Sequence, residues 1–275
     1  MQTVARGAVL RFLTGLVFFL LFQGCSADQG KKHFVLAEQL WTDHKYGAAI
    51  LEFEKVYQRE PRSKLGQNAL FRAAMTQSLF LKQYPEALEK LRTFAQISTD
   101  DQLTWKAQLE IGEILYSNLE SYDQVLMHYP LMMTSRPNAP EVPEILYRMA
   151  KSEFFLFRFG HALQRFQNLI QRFPDSSWAE KAQFERGVTL YTRGETQKHS
   201  SDFTQAIQEY QNFMIKHPQS GLIPQAKFGI ASCYEELDRQ TEALTLYSSL
   251  EKTYPAPGVI QMKIARLKKR IHQIN

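Results

Sequence analysis

Residues 46–61 read YGAAILEFEKVYQREP, with Tyr46 leading, Ala49 three residues on, Phe53 four further, and Pro61 closing the block. The same block returns as Tyr84, Ala87 and Leu91, and then as Tyr122, Val125, Tyr129 and Pro137. It continues as Phe159, Ala162, Phe166 and Pro174, as Phe203, Ala206, Tyr210 and Pro218, and as Gln240, Ala243, Tyr247 and Pro255. The central positions stand 38, 38, 37, 44 and 37 residues apart. Aromatics make up 12% of the chain, so chance would supply fewer than one among the six leading positions, yet five are aromatic. A period of this length identifies a stack of supersecondary units.

Within each unit apolar residues recur at spacings of three and four, the signature of amphipathic helices. Phe34, Leu36, Leu40 and Trp41 mark the first helix of repeat one, and Ile50, Phe53 and Val56 mark the second. The small central residue lets two helices joined by a short turn cross closely. The closing proline lacks an N–H and restricts its predecessor, so it ends the second helix. Polar residues after Pro174 (Asp175, Ser176, Ser177) and after Pro218 (Gln219, Ser220) suit the cap of the next helix. Repeat two departs in carrying Thr99 where proline is expected, and repeat three carries Val125 for alanine and Pro130 inside its second helix.

Alanine, aromatic and proline at these offsets resemble the tetratricopeptide repeat (TPR), and the match runs from Lys32 to Pro255. The expected fold is all-α: a right-handed superhelical solenoid of about six helix-turn-helix repeats over 32–256, with a capping helix over 257–275. In that helix Val259, Ile260, Ile264, Leu267 and Ile271 form the apolar stripe, and Lys263, Arg266, Lys268, Lys269 and Arg270 read as a solvated face. Pro130, Pro137, Pro140 and Pro143 mark an expected bend near 130–143, dividing three repeats from three. The wider spacing in repeat five traces to RGETQKHSS at 193–201, expected to be a polar loop insertion.

The N-terminus carries different information. Arg6 and Arg11 precede an apolar run from Phe12 to Phe22, too short for a membrane span of ~17–25 residues but suited to a secretory signal peptide over 1–24. Gly24–Cys25 resembles the bacterial lipobox, although Phe22 and Gln23 depart from its preferred residues. The resemblance implies lipidation of Cys25, followed by a linker over 25–31 in which Ser26 and Ala27 fit sorting to the outer membrane, facing the periplasm. Cys233, the other cysteine, lies in a helical apolar pattern and reads as a buried small hydrophobe, so no disulfide framework is expected. The formal charge of +5 is modest and points to no nucleic-acid partner.

No phosphate-binding glycine loop, H-E-x-x-H or G-x-S-x-G motif occurs, and the seven histidines never pair at i, i+4. Acidic residues such as Glu235 and Glu236 read as solvated charges on helices. No enzymatic activity, metal or dissociable cofactor is therefore expected; the one attached group is the lipid on Cys25. In the TPR fold the first helices of successive repeats line a groove. That geometry assigns Trp41, Arg72, Phe80, Tyr147, Lys151, Phe155 and Phe228 to a peptide-binding face, aromatic and basic, suited to an extended peptide with apolar side chains and a carboxylate. Helical spacing alone leaves open whether some of these seven are core residues instead.

The lipobox-like Cys25, the short linker, the tandem repeats and junctions such as Phe173-Pro174-Asp175-Ser176 resemble the BamD family of outer-membrane β-barrel assembly lipoproteins. The junction is also similar to periplasmic TPR proteins of the Tol–Pal system. The first resemblance implies a scaffold that docks on a barrel-assembly protein and receives unfolded outer-membrane protein segments. The second implies an envelope adaptor for cell division, Tol–Pal function or peptidoglycan synthesis.

Overall fold

The computed structural model describes residues 29–274, which form thirteen helices and no strand. The signal-peptide and lipidation assignments, including Cys25, lie outside the described residues. We number the helices α1 (29–42), α2 (Tyr46–Arg59), α3 (Lys64–Thr76), α4 (Tyr84–Ile97), α5 (Asp101–Glu113), α6 (Tyr122–Ser135) and α7 (Val142–Phe155). The remainder are α8 (Phe159–Arg172), α9 (Ser177–Gln197), α10 (Ser200–Lys216), α11 (Ile223–Glu236), α12 (Gln240–Leu250) and α13 (Pro257–Ile274). Odd-numbered helices up to α11 are the first helices of repeats, and even-numbered ones the second.

The chain divides into two compact units, one ending at Glu120 and the other beginning at Ser121. In the first, α2, α3, α4 and α5 pack in sequence, and Ala37, Ala49, Phe53, Ala69 and Ala73 join α1, α2 and α3 in one core. In the second, α6 packs on α7, and each second helix from α8 to α12 lies between its own first helix and the helix that follows. First helices also touch one another, α7 with α9 and α9 with α11. The unit boundary therefore falls between the two helices of repeat three, earlier than the proline-rich stretch suggested. Pro130 does not interrupt α6, and Pro143 sits in the first turn of α7, where a missing N–H costs nothing.

The repeated positions are the core. Ala49, Ala87, Val125, Ala162, Ala206 and Ala243 are all fully buried, as are Phe53, Leu91, Phe166 and Tyr247, with Tyr129 and Tyr210 close behind. In α8 the buried residues Phe159, Ala162, Phe166 and Leu169 form one stripe, and burial of a Phe166-sized side chain contributes about 1.5–3 kcal/mol. Repeat two manages without its proline: Asp100 accepts from the N–H groups of Gln102 and Leu103 at 3.0 and 2.9 Å, starting α5. Ser63 and Ser176 cap α3 and α9 in the same manner.

Two sequence expectations are corrected. The insertion at 193–201 is not a loop: 193–197 lengthen α9 to 21 residues, Lys198 and His199 make a two-residue turn, and Ser200 and Ser201 begin the 17-residue α10. Arg193 inside it makes a two-pronged ion pair with buried Asp202, at 2.7 and 2.6 Å. Glu235 is not solvated, as described below.

Every first helix ends with one residue in the left-handed region: His44, Lys82, Glu120, Phe157, Lys198 and Asp238 have φ between 48° and 61°. The turn is closed by bonds such as Arg158 N–H to the Glu153 carbonyl at 2.8 Å and Arg239 N–H to the Tyr234 carbonyl at 2.8 Å. None of the six is glycine, although a Cβ there costs roughly 1–2 kcal/mol. Phe157 is the most unfavourable choice, being bulky and 69% exposed. Phe157→Gly is expected to raise stability by about 0.5–1 kcal/mol after its extra unfolded-state entropy is subtracted. Thermal unfolding would show this as a higher midpoint, and a lower one would mean that the Phe157 contact with Phe159 outweighs the backbone strain.

Candidate functional site

In the first unit Trp41, Arg72 and Phe80 come together. The Arg72 guanidinium lies 5.5 Å from the Trp41 ring and 5.6 Å from Phe53, and it pairs with Glu38 at 2.9 Å. Phe80 meets Trp41 edge-on at 5.5 Å and leans on Tyr46 at 4.4 Å. Phe80 is not on the body of the first helix. Residues Gln77–Leu81 form a π-helical turn, which adds a residue per turn and rotates the end of the helix, leaving Leu79 and Phe80 exposed. Phe80 thus covers the leading aromatic of the preceding repeat at the turn edge.

Phe155 does the same in the second unit. It sits in the last turn of α7, stacked on Tyr122 with ring centroids 4.7 Å apart and planes at 23°. Lys151 lies over the Phe154 and Phe155 rings at 4.6 and 5.1 Å. The Lys151 ammonium also donates to Glu185 on α9 at 2.9 Å, and the Tyr147 hydroxyl donates to the other Glu185 oxygen at 3.1 Å. Tyr147 is half-buried, against Trp178 at 5.0 Å and Phe166 at 5.9 Å.

The basic character read from the sequence is therefore largely cancelled, since Arg72 and Lys151 each already hold a carboxylate. Both partners are more than thirty residues away along the chain, Glu38 for Arg72 and Glu185 for Lys151, beyond any helical spacing rule. Trp178, Glu185 and Phe184 are site residues that sequence reasoning missed. Trp178 and Phe184 left a signal as aromatics on a first helix, and Glu185 left none.

Phe228 on α11 stacks on Tyr254 at 4.9 Å and 20°, and meets Tyr247 edge-on at 5.4 Å. It forms one wall of a cavity of about 280 Å³ between α9 and α11. Phe184, Val188 and Tyr191, spaced four and three apart on α9, make the facing wall. Tyr210 of α10 is the floor. Its ring is held between Gly187 and Gly229, where an added Cβ would lie 2.6 Å from ring atoms in either case.

Two titratable groups near this face, Cys233 and Tyr191, are held in their protonated forms. Burial, aided by Glu236 and Glu195, pushes the Cys233 thiol up to about 12, so it stays protonated at neutral pH. Burial and its bond to Glu195 raise the Tyr191 phenol. No group of three His, Cys, Asp or Glu able to hold a metal occurs among the described residues, and no described helix is long and apolar enough to cross a membrane.

Stacked helix pairs with a small–aromatic–proline register, presenting first helices side by side, define a chain built of tetratricopeptide-type repeats. Residues 144–176 and 225–256 match the family model of the tetratricopeptide repeat, which places α7–α8 and α11–α12 as two such units. No curated protein matches the chain. Among solved structures, a tetratricopeptide repeat protein from Parabacteroides merdae is similar at a TM-score of 0.55 and 14% identity, over 89% of this chain and 88% of that one. PilW, a widely conserved type IV pilus biogenesis factor, is similar at 0.52 and 14%, over 85% of this chain and 97% of its own. These likenesses establish the fold.

Proposed function

We propose that this chain is a non-catalytic scaffold that binds other polypeptides on the first-helix face of its second unit. The aromatic-walled cavity between α9 and α11 carries this reading: it places an apolar recess on the surface that such repeats present to partners. The paired state of Lys151 and Glu185 shifts the expected recognition away from a carboxylate and towards apolar side chains.

We further propose that the scaffold works at the bacterial outer membrane, held there by lipid on Cys25, in the assembly or insertion of β-barrel proteins. The apolar run before Gly24–Cys25 and the tandem repeats support that placement. Its partners would then be a barrel-assembly protein and unfolded outer-membrane protein segments.

Crosslinking the anchored protein in its own envelope, followed by mass spectrometry, tests the assignment. Recovery of a barrel protein with periplasmic domains is the expected result. Recovery of peptidoglycan synthases or Tol–Pal components without a barrel protein would replace it with the adaptor reading. Cys25→Ser is expected to leave unprocessed precursor and to abolish palmitate labelling; normal processing and labelling would end the lipoprotein assignment.

A further inference from the structure

The α9–α11 cavity is apolar in its walls and acidic at one end. Gly187 of α9 and Gly229 of α11 grip the same Tyr210 ring, so the two helices stand level there. Along α9 from that point, Val188, Tyr191 and Glu195 follow at spacings of three and four, which keeps them on one face. On α11, where Gln225 also lines the wall, Phe228, Ser232 and Glu236 follow at spacings of four. Each cavity-lining stripe thus ends, one turn beyond its last lining residue, in an exposed carboxylate. The two converge on one phenol. The Tyr191 hydroxyl donates to Glu195 at 2.9 Å, and Glu236 contributes to raising both Tyr191 and Cys233.

Charge then selects the occupant. Among the described residues no Lys, Arg or His pairs with Glu195 or Glu236. Their acidic neighbours are answered: Glu185 by Lys151, Asp202 by Arg193, and Glu235 by Lys263 and Arg266. Lys263, 5.9 Å from the Phe228 ring, is therefore already engaged on the α13 side. The α11 helix ends at Glu236, and the negative end of its dipole adds to the attraction for a cation.

The walls point the same way. Phe184, Tyr191, Phe228 and Tyr254 stand over the Tyr210 floor, and the faces of such rings attract cations. An anion would be repelled at the rim, and a neutral guest would leave both carboxylates without a role. A long cationic side chain uses both features: its alkyl stem lies among the rings while its head stays at the hydrated rim. About 280 Å³ is just under the ~300–1,000 Å³ of small-molecule sites and suits one such side chain.

We propose that this cavity is a socket for one basic side chain, arginine or lysine, of a partner polypeptide, with its stem among the rings and its cationic head between Glu195 and Glu236. The proposal rests on the scaffold reading and deepens it, since the apolar surface recognised is the stem of a charged residue.

The test uses the full chain and N-acetyl-argininamide as probe, with the capped amides of leucine, phenylalanine and glutamate as comparators, read by NMR titration. Saturable binding of the arginine probe is expected, weakening as salt screens the exposed carboxylates, with none of the glutamate probe. Glu195→Gln combined with Glu236→Gln keeps side-chain size and an acceptor for Tyr191. That pair should weaken the arginine probe about tenfold and leave the leucine probe unchanged. Val188→Phe, which fills the cavity from α9, should abolish probe binding and keep the helical circular dichroism spectrum.

A leucine or phenylalanine probe that binds as tightly as arginine would overturn the socket. So would undiminished arginine binding by the paired glutamine variant or by Val188→Phe. If the arginine probe fails while envelope crosslinks to polypeptides are recovered, the socket falls and the scaffold stands. If the chain binds the probe yet crosslinks no polypeptide, the scaffold reading falls, and the partner assignment with it.

Discussion

Replacing Tyr210 with alanine is expected to remove about 3–5 kcal/mol of stability from the second unit. The ring is 3% exposed and belongs to the core shared by α9, α10 and α11, in contact with Phe184 at a centroid distance of 5.6 Å. It is gripped between Gly187 and Gly229, so truncation leaves a void with glycine on two sides, where no side chain can move in to fill it. Tyr210→Phe keeps the ring and should cost no more than ~1.5 kcal/mol. Gly229→Ala approaches the same contact from the other direction: its methyl group would overlap the ring, at an expected cost of ~1–3 kcal/mol. Combined with Tyr210→Ala, that second cost should disappear, because the atom it struck is absent. Urea unfolding followed by far-ultraviolet circular dichroism measures all four proteins. Additive costs in the double variant would show that the glycine is required for some reason other than the ring.

Loss of the Glu235 carboxylate should release the C-terminal helix. Glu235 lies in the last turn of α11 with its side chain 5% exposed, and it accepts from the Tyr247 hydroxyl at 2.7 Å, from Lys263 at 2.9 Å and from Arg266. The two cations belong to α13, so this one group ties the last helix to the repeats through charge-assisted bonds, alongside the apolar contacts of Ile260, Ile264 and Leu267. Glu235→Leu is expected to cost about 2–3 kcal/mol, the worth of hydrogen bonds to a charged group. Acid should act in the same direction. Burial pushes the Glu235 carboxyl up, but Lys263, Tyr247 and Arg266 together outweigh it and hold it below its ordinary value of 4.5. A carboxylate with a lowered folded-state pKa contributes stability that is complete above its unfolded value and disappears as pH falls through the folded one. Docking of α13 should therefore be constant at neutral pH and weaken below about 4.5. Hydrogen exchange resolved to α13 reads both effects, and unchanged protection in Glu235→Leu would mean that the apolar stripe alone holds the helix.

The basic stretch of α13 illustrates where sequence reasoning stops. As a string, Lys263 to Arg270 is a solvated cationic face. In the fold, Lys263 and Arg266 serve Glu235, Arg270 approaches Asp238, and Lys268 and Lys269 remain on the surface. The same limit applied to the proposed groove residues. The TPR resemblance assigns Phe80 and Phe155 to the binding face, and in the fold each ring also packs on a neighbouring repeat's leading aromatic at the turn edge. For Phe80 the cause is a π-helical turn, whose extra residue leaves no mark in an apolar pattern of period 3.6.

From its sequence alone this protein declares an all-helical repeat architecture, the register of Ala162, Phe166 and their counterparts in the core, and the burial of Cys233 as a small hydrophobe. The repeat is legible because its period of 37 to 44 residues recurs along the chain, and the buried faces because local geometry converts spacing within one or two helical turns directly into a face. Tertiary structure alone decides that the 193–201 insertion continues two helices, that the compact units part at Glu120, and that Lys151 and Arg72 are neutralised. It alone assembles Phe184, Tyr210 and Phe228 around Gln225. Each of these turns on which surfaces of different helices meet, and that is set by packing between repeats, where partners stand tens of residues apart and no periodicity connects them.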